Sequence, residues 1–156
     1  MKKYIGYLDT DFGIIEIKGT KDYITHISFV EEIKEELEND NIKLCKKELK
    51  EYLNGERKKF TVKIEFLEGT EFRKKVWEEV YKIPYGETKT YKDIAKAIGN
   101  EKASRAVGGA INKNPICIIV GCHRVLGSNN KLIGYAYGLN LKKELLNIEN
   151  KGALYE

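Results

Sequence analysis

The run Asn114-Pro115-Ile116-Cys117-Ile118-Ile119-Val120-Gly121-Cys122-His123-Arg124-Val125 decides how this chain is read. A mostly apolar stretch, the mark of a core segment, delivers a thiol, an imidazole and a guanidinium directly after a glycine. Three polar side chains in a row at the end of a core segment point to chemistry. A thiol reacts as its thiolate, and an unperturbed cysteine, with a pKa of about 8.5, is barely ionised at neutral pH. His123 and Arg124 are both placed to promote ionisation of Cys122. Adjacent side chains in an extended segment point to opposite sides, so Cys122 and His123 need a tight bend or a bridging water to act together. A base of this kind is usually oriented by a third group, and Glu149 is the candidate. The competing reading makes Cys122 a buried, inert thiol, as Cys117 and Cys45 are expected to be.

The totals narrow the class. A length of 156 residues fits one domain, or one small domain beside another. With 42% hydrophobic and 33% charged residues the composition is that of a globular protein, not a disordered one. No apolar stretch approaches the roughly 18 residues that span a membrane, and Met1-Lys2-Lys3-Tyr4 does not lead into a signal core. The expectation is an intracellular protein. Three cysteines, an odd number at irregular spacing, argue against a disulfide framework and fit a reducing compartment. Without a CxxC pair, a zinc site is not expected.

Charge is unevenly distributed. Residues 1–65 are close to neutral, whereas Lys89, Lys92, Lys96, Lys102, Arg105, Lys113, Arg124 and Lys131 face only Asp93 and Glu101 within 89–131. Such a surplus suits a polyanion, although a solvated lysine-rich surface would look the same.

Working outward, Tyr4–Leu8, Phe12–Lys18 and Tyr23–Phe29 read as strands, with turns at Asp9-Thr10-Asp11 and Gly19. The acidic run Glu31–Asp40 is expected to be a mobile, solvated helix or loop. Leu44, Cys45, Leu49, Tyr52 and Leu53 recur at helical spacing, and Thr61–Phe66 alternates again. After Gly69 the pattern turns helical. Phe72, Val76, Val80 and Ile83 share a face, with a stop at Pro84-Tyr85-Gly86. Thr90 with Asp93 resembles a capping box and Gly99 a C-cap. A second short helix, Ala103–Lys113, then completes either a helix-turn-helix or an ordinary helical hairpin. Gly108-Gly109 inside it costs about 1 kcal/mol per glycine relative to alanine. That cost fits close approach of a DNA backbone or a neighbouring helix. A last helix, Leu141–Glu149, is expected to bury Leu141, Leu145 and Ile148.

Several motifs together resemble one family. Thr90-Tyr91, Ala103-Ser104-Arg105-Ala106-Val107-Gly108-Gly109-Ala110, Asn114-Pro115, Cys122-His123-Arg124-Val125, Gly134-Tyr135, Gly138-Leu139 and Glu149 follow, in order and spacing, the O-6-alkylguanine-DNA alkyltransferases, the methylated-DNA–protein-cysteine methyltransferases. The resemblance implies an α+β fold: a small ribonuclease H-like N-terminal domain (1–66) and a mostly helical, winged helix-turn-helix-like catalytic domain (67–156). It implies DNA repair by a suicide methyltransferase, in which Cys122 takes an alkyl group once, irreversibly, from guanine O-6 (and thymine O-4) after base flipping. His123 would draw off the thiol proton through a water, with Glu149 orienting it. Tyr91 would donate a hydrogen bond to the departing guanine and help rotate the nucleotide outward. Arg105 would fill the gap in the stack, with Lys92, Ser104 and Asn100 also against DNA. Asn114, Tyr135, Ala136 and Val125 would form the base pocket. The implied partner is double-stranded DNA carrying O-6-alkylguanine. No cofactor, metal or membrane is implied. The protein would be a monomer, with cooperativity along DNA left open, in a prokaryote-like cytoplasm and on the nucleoid when bound.

Gly121 and Cys117 stand where the family usually has proline, and Ala136 where some members have serine. The expectation is a less pre-organised turn at Gly121 and an altered pocket wall at Cys117. A non-catalytic alkylation-damage sensor is the alternative, and Cys122 together with residues 1–65 argues against it. A DNA-binding regulator with a redox-sensing cysteine and a turnover thiol hydrolase are further readings.

Overall fold

The structure, a computed structural model, describes residues 2–150. The ends of the two expected domains, residue 1 and residues 151–156, lie outside them. The chain divides into two compact units. One is the chain up to Leu67 together with Pro115–Cys117; the other is Glu68–Asn114 and the chain from Ile118 onward. Among the described residues no helix is long and apolar enough to cross a membrane.

The first unit is an antiparallel sheet covered by a helix. Strands β1 (Tyr4–Thr10), β2 (Gly13–Gly19) and β3 (Ile24–Val30) pair in sequence order, with Tyr7 opposite Glu16 and Ile17 opposite Ile27. Helix α1 (Asp40–Leu53) buries Ile42, Cys45, Leu49, Tyr52 and Leu53, and the Asn39 side chain caps it by accepting from the Ile42 N–H. The free edge of β3 is not left open to a second chain. Ile24 bonds to Lys63 and Glu65, and Ile27 accepts from the Cys117 N–H at 3.1 Å while donating to the Pro115 carbonyl at 2.9 Å.

Three expectations are adjusted here. Thr61–Phe66 keeps its alternation, with Val62 buried and its neighbours exposed, but forms a single bridge and not a strand. The acidic run is exposed yet anchored. Leu37 pairs with Ile5, and Lys46 Nζ holds both Glu36 and Glu38 at 2.6 Å. Cys117 sits on the β3 edge, where its N–H makes a bond that proline could not.

Glu48 on α1 is buried and fastens the following loop. Its carboxylate accepts from Thr61 N and Oγ1 and Val62 N, and Arg57 Nη1 lies 3.1 Å away.

The second unit is mostly helical: α2 (Glu71–Tyr81), β4 (Lys89–Thr90), α3 (Tyr91–Ala97), α4 (Ser104–Ile111), β5 (Val125–Leu126) and α5 (Leu139–Glu149), with β4 parallel to β5. The full capping box of Thr90 and Asp93 starts α3, and Gly99, at φ +80°, follows its end. Trp77 on α2 donates to the Ala110 carbonyl of α4 at 2.8 Å. Gly69 must be glycine, since its φ is +113° and a Cβ would strike the Trp77 ring at 2.6 Å. The order expected from sequence, a small sheet with a helix and then a helical region, is the order observed.

Glu48→Ala should lower stability by about 2 kcal/mol, because it leaves the buried Val62 N–H without its acceptor and takes one of two carboxylate partners from Arg57, which keeps Glu51. Denaturant unfolding checks this, and a loss under about 1 kcal/mol would show that the Glu48 clamp contributes little.

Candidate active site

A three-residue 3-10 turn, Cys122–Arg124, lies between the buried segment and β5. In this tight bend Cys122 bonds to Asn114 and His123 to Glu149. Gly121 caps it at φ −73°, a value proline also adopts, so the turn does not draw on glycine's freedom. The missing Cβ matters more, because it would lie 2.9 Å from Arg124 Cδ. Arg124 packs over the position a side chain would occupy.

Cys122 is 5% exposed. Its Sγ accepts from Asn114 Nδ2 at 3.0 Å, and that amide also donates to the Val120 carbonyl at 3.0 Å. Asn114 thus ties the chain after α4 to both the turn and the sulfur. Burial pushes the thiol pKa up to about 12, against the Asn114 hydrogen bond and the Lys142 charge. The resting residue is a thiol, so reaction requires a base.

Glu149 is the hub of the site. It accepts from His123 Nε2 at 2.6 Å, from Arg124 Nε at 2.9 Å and Nη2 at 3.0 Å, and from the Gly86 N–H at 3.0 Å. Burial alone would raise its pKa. The His123 hydrogen bond and the Arg124 guanidinium outweigh that and hold the carboxyl well below the usual range. His123 is fully buried, and burial, helped by the nearby Arg124 and Lys142 charges, lowers its pKa against the pull of Glu149. It is therefore a neutral imidazole that donates Nε2–H to a carboxylate, which leaves Nδ1 as the proton-accepting nitrogen.

Arg124 does not face the thiol, as the sequence had suggested. It is spent on Glu149 and on the Ile83 carbonyl, 2.7 Å from Nη1. The other seven basic residues of 89–131 are all exposed, so the surface surplus is real but one charge smaller.

Tyr91 opens α3 and is half-buried. Its hydroxyl donates to the Ile133 carbonyl at 3.0 Å, and burial and the nearby Cys122 raise its pKa. Val125 is buried in β5, Tyr135 is partly buried against Tyr137, and Ala136 is exposed. On α4, Arg105, Ala106 and Gly109 are exposed and Ser104 partly so; Lys92 and Asn100 are exposed on and after α3. A Cβ at Gly109 would meet nothing within 4 Å. Core packing therefore does not explain that glycine, and the face of α4 carrying Arg105 is open.

Sequence reasoning missed Lys142, buried among three carbonyls, and the inward role of Arg124. It also misplaced the α5 face. Lys142, Leu145, Leu146 and Glu149 are buried, whereas Leu141 and Ile148 are only partly so. The i, i+3, i+4, i+7 spacing of that set was the available signal. Among the described residues no cluster of His, Cys, Asp and Glu could hold a metal ion.

Comparison with known proteins covers most of the chain. The model of the 6-O-methylguanine DNA methyltransferase DNA-binding domain matches residues 71–151, and that of the family's ribonuclease-like domain matches residues 3–66. The methylated-DNA–protein-cysteine methyltransferase of Methanosarcina acetivorans is 46% identical over 94% of this chain and 97% of its own. The crystal structure of Mycobacterium tuberculosis O6-methylguanine methyltransferase superposes with a TM-score of 0.86 at 35% identity, covering 99% of this chain and 97% of that one. The M. tuberculosis protein OGT in complex with DNA gives 0.85 at 36% identity, over 95% and 93%. Fold and site together define a DNA-repair methyltransferase that works through a protein cysteine. The chain belongs to the 6-O-methylguanine DNA methyltransferase family.

Glu149 links the site to pH. Its carboxyl titrates lower folded than unfolded, so its contribution is present above the ordinary value of 4.5 and is lost as pH falls through the folded value. Glu149→Gln should cost about 3 kcal/mol at neutral pH, because it leaves Arg124 buried and unpaired. It should also flatten the fall in melting temperature between about pH 5 and about pH 3. Melting curves across that range test both.

Proposed function

We propose that this chain repairs DNA by moving a methyl group from O-6 of guanine, and by the same chemistry from O-4 of thymine, to Cys122, once per molecule. The buried Glu149–His123 pair beside Cys122 carries this reading, because a thiol raised by burial can react only if a base takes its proton. In the proposed step the Cys122 sulfur bonds to the methyl carbon as the carbon–O-6 bond breaks. The electron pair passes to the purine, which takes up a proton with Tyr91 as the donor beside it. The thiol proton goes to His123 Nδ1 through a water, and the Glu149 carboxylate stabilises the resulting imidazolium. The product is a thioether, which water does not cleave, so the protein does not turn over.

The substrate is a methylated nucleotide turned out of double-stranded DNA, since guanine O-6 inside a duplex is out of reach of a buried thiol. The open, basic face of α4, with Arg105 among small residues, supports DNA binding there. Arg105 fills the space the base leaves, with Lys92, Ser104 and Asn100 on the flanking strand. Asn114, Val125, Tyr135 and Ala136 form the pocket. The catalytic and DNA-binding part is residues 67–156 and the N-terminal domain residues 1–66. The protein acts as a monomer, without a cofactor, in the cytoplasm and on the nucleoid.

Intact-protein mass measurement after incubation with a duplex carrying O-6-methylguanine tests the reading. One methyl on Cys122, with no further turnover and none on Cys122→Ser, is expected. Tight binding with no mass change would leave a damage sensor. Arg105→Ala should slow transfer from duplex by about tenfold while sparing the free base, because only the duplex reaction needs extrusion. Equal losses on both substrates would remove Arg105 from base flipping.

A further inference from the structure

Lys142 is a buried charged group at the site that the proposed step does not use, and unlike Arg124 it is not paired with Glu149. It is 1% exposed on the inner face of α5. A buried ammonium is costly unless each of its protons finds an acceptor. Here three carbonyls converge on Nζ: Val125 at 2.6 Å, Gly134 at 3.0 Å and Ile133 at 3.3 Å. These acceptors come from two places, β5 directly after the reactive turn and the segment leading into Tyr135-Ala136. The Ile133 carbonyl is shared, since it also accepts from the Tyr91 hydroxyl at 3.0 Å.

That segment is irregular. Residues 131–138 contain no helix or strand, and Ile133 is 50% exposed. Gly134 and Gly138 both take positive φ. A stretch of this kind is a low-stability element unless something ties it down, and Lys142 ties it at two successive carbonyls.

We propose that Lys142 is a positioning residue for the methyl-transfer pocket, its ammonium fixing the Ile133–Gly134 backbone to Val125 and so setting where Tyr91 and the Tyr135–Ala136 wall stand. This rests on the function proposed above. In the resting protein the Tyr91 hydroxyl is engaged by the Ile133 carbonyl, and it must leave that carbonyl to donate to a departing base. Lys142 keeps the carbonyl supplied with a donor when Tyr91 swings away, so the wall does not loosen as the base enters. The titratable groups around the ammonium are the Cys122 thiol, the His123 imidazole and the Tyr91 phenol. Burial lowers the Lys142 pKa to about 8, partly restored by Cys122. The clamp therefore weakens within a measurable pH range.

The test is single-turnover transfer from an O-6-methylguanine duplex by Lys142→Met and Lys142→Gln. Lys142→Met should still place one methyl on Cys122, but at least about tenfold more slowly at saturating protein, as a displaced pocket wall requires. Its affinity for undamaged duplex should not change. Lys142→Gln, which keeps two N–H donors, should recover part of the rate. The ratio of unsubstituted to Lys142→Met rates should shrink as pH rises past about 8. A wild-type rate in Lys142→Met with only a lowered melting temperature, or a ratio flat with pH, would overturn the proposal. If Lys142→Met does not fold, hydrogen exchange of the 131–138 peptide in the unsubstituted protein decides. After correction for the intrinsic rate, protection should fall between about pH 7 and about pH 9.5, and constant protection would refute the clamp. If the unsubstituted protein transfers no methyl at all, the proposed function fails, which is a separate outcome from equal rates in the two proteins.

Discussion

A single buried carboxylate organises the reactive end of this protein. Glu149 accepts two N–H groups of Arg124, one of His123 and one of the Gly86 backbone, so its lone pairs are filled from two separate stretches of chain. A carboxylate stripped of water is tolerated only when its acceptor sites are occupied in this way. The arrangement thereby fixes the end of α5, the 3-10 turn and the loop before β4 relative to one another. The Cys122 thiol stands next to this network in the same turn and is itself held by the Asn114 amide.

That division of labour explains the run Cys122-His123-Arg124. In a tight turn three successive side chains leave in different directions. One reaches Asn114, one Glu149, and one crosses Gly121 to reach both Glu149 and Ile83. Glycine before the cysteine leaves space for the Arg124 stem. Arginine serves here because its planar fork satisfies both carboxylate oxygens and a carbonyl together, which lysine's point charge would not.

The parts of the fold that obey local rules were legible in the sequence. The capping box of α3, the apolar spacing of α1 and α2 and the three N-terminal strands were all written in periodicity and end signals. Of the site, the Cys122-His123 pair with Glu149 as its candidate partner was anticipated, and the three lie near one another, whereas the contact of the Asn114 amide with the sulfur was not. What could not be read was direction. Whether Arg124 turns toward the thiol or away from it depends on the turn, and no period of 2 or 3.6 describes a 3-10 bend. Lys142 escaped notice because a lysine inside a helical pattern normally marks the wet face. Only the carbonyls of Val125, Ile133 and Gly134, distant in sequence, make its burial affordable. Cys117 is a similar case. Its place beside Ile27 is a tertiary fact with no local signature.

Trp77 is the chain's only tryptophan. Its indole is buried, and its N–H is held by the Ala110 carbonyl near the end of α4. An indole's emission responds to the polarity around it and to the hydrogen bond its N–H makes. The protein thus carries its own optical probe, attached to the helix whose far end bears Arg105, and any event that shifts that helix is reported from inside the unit without an added label.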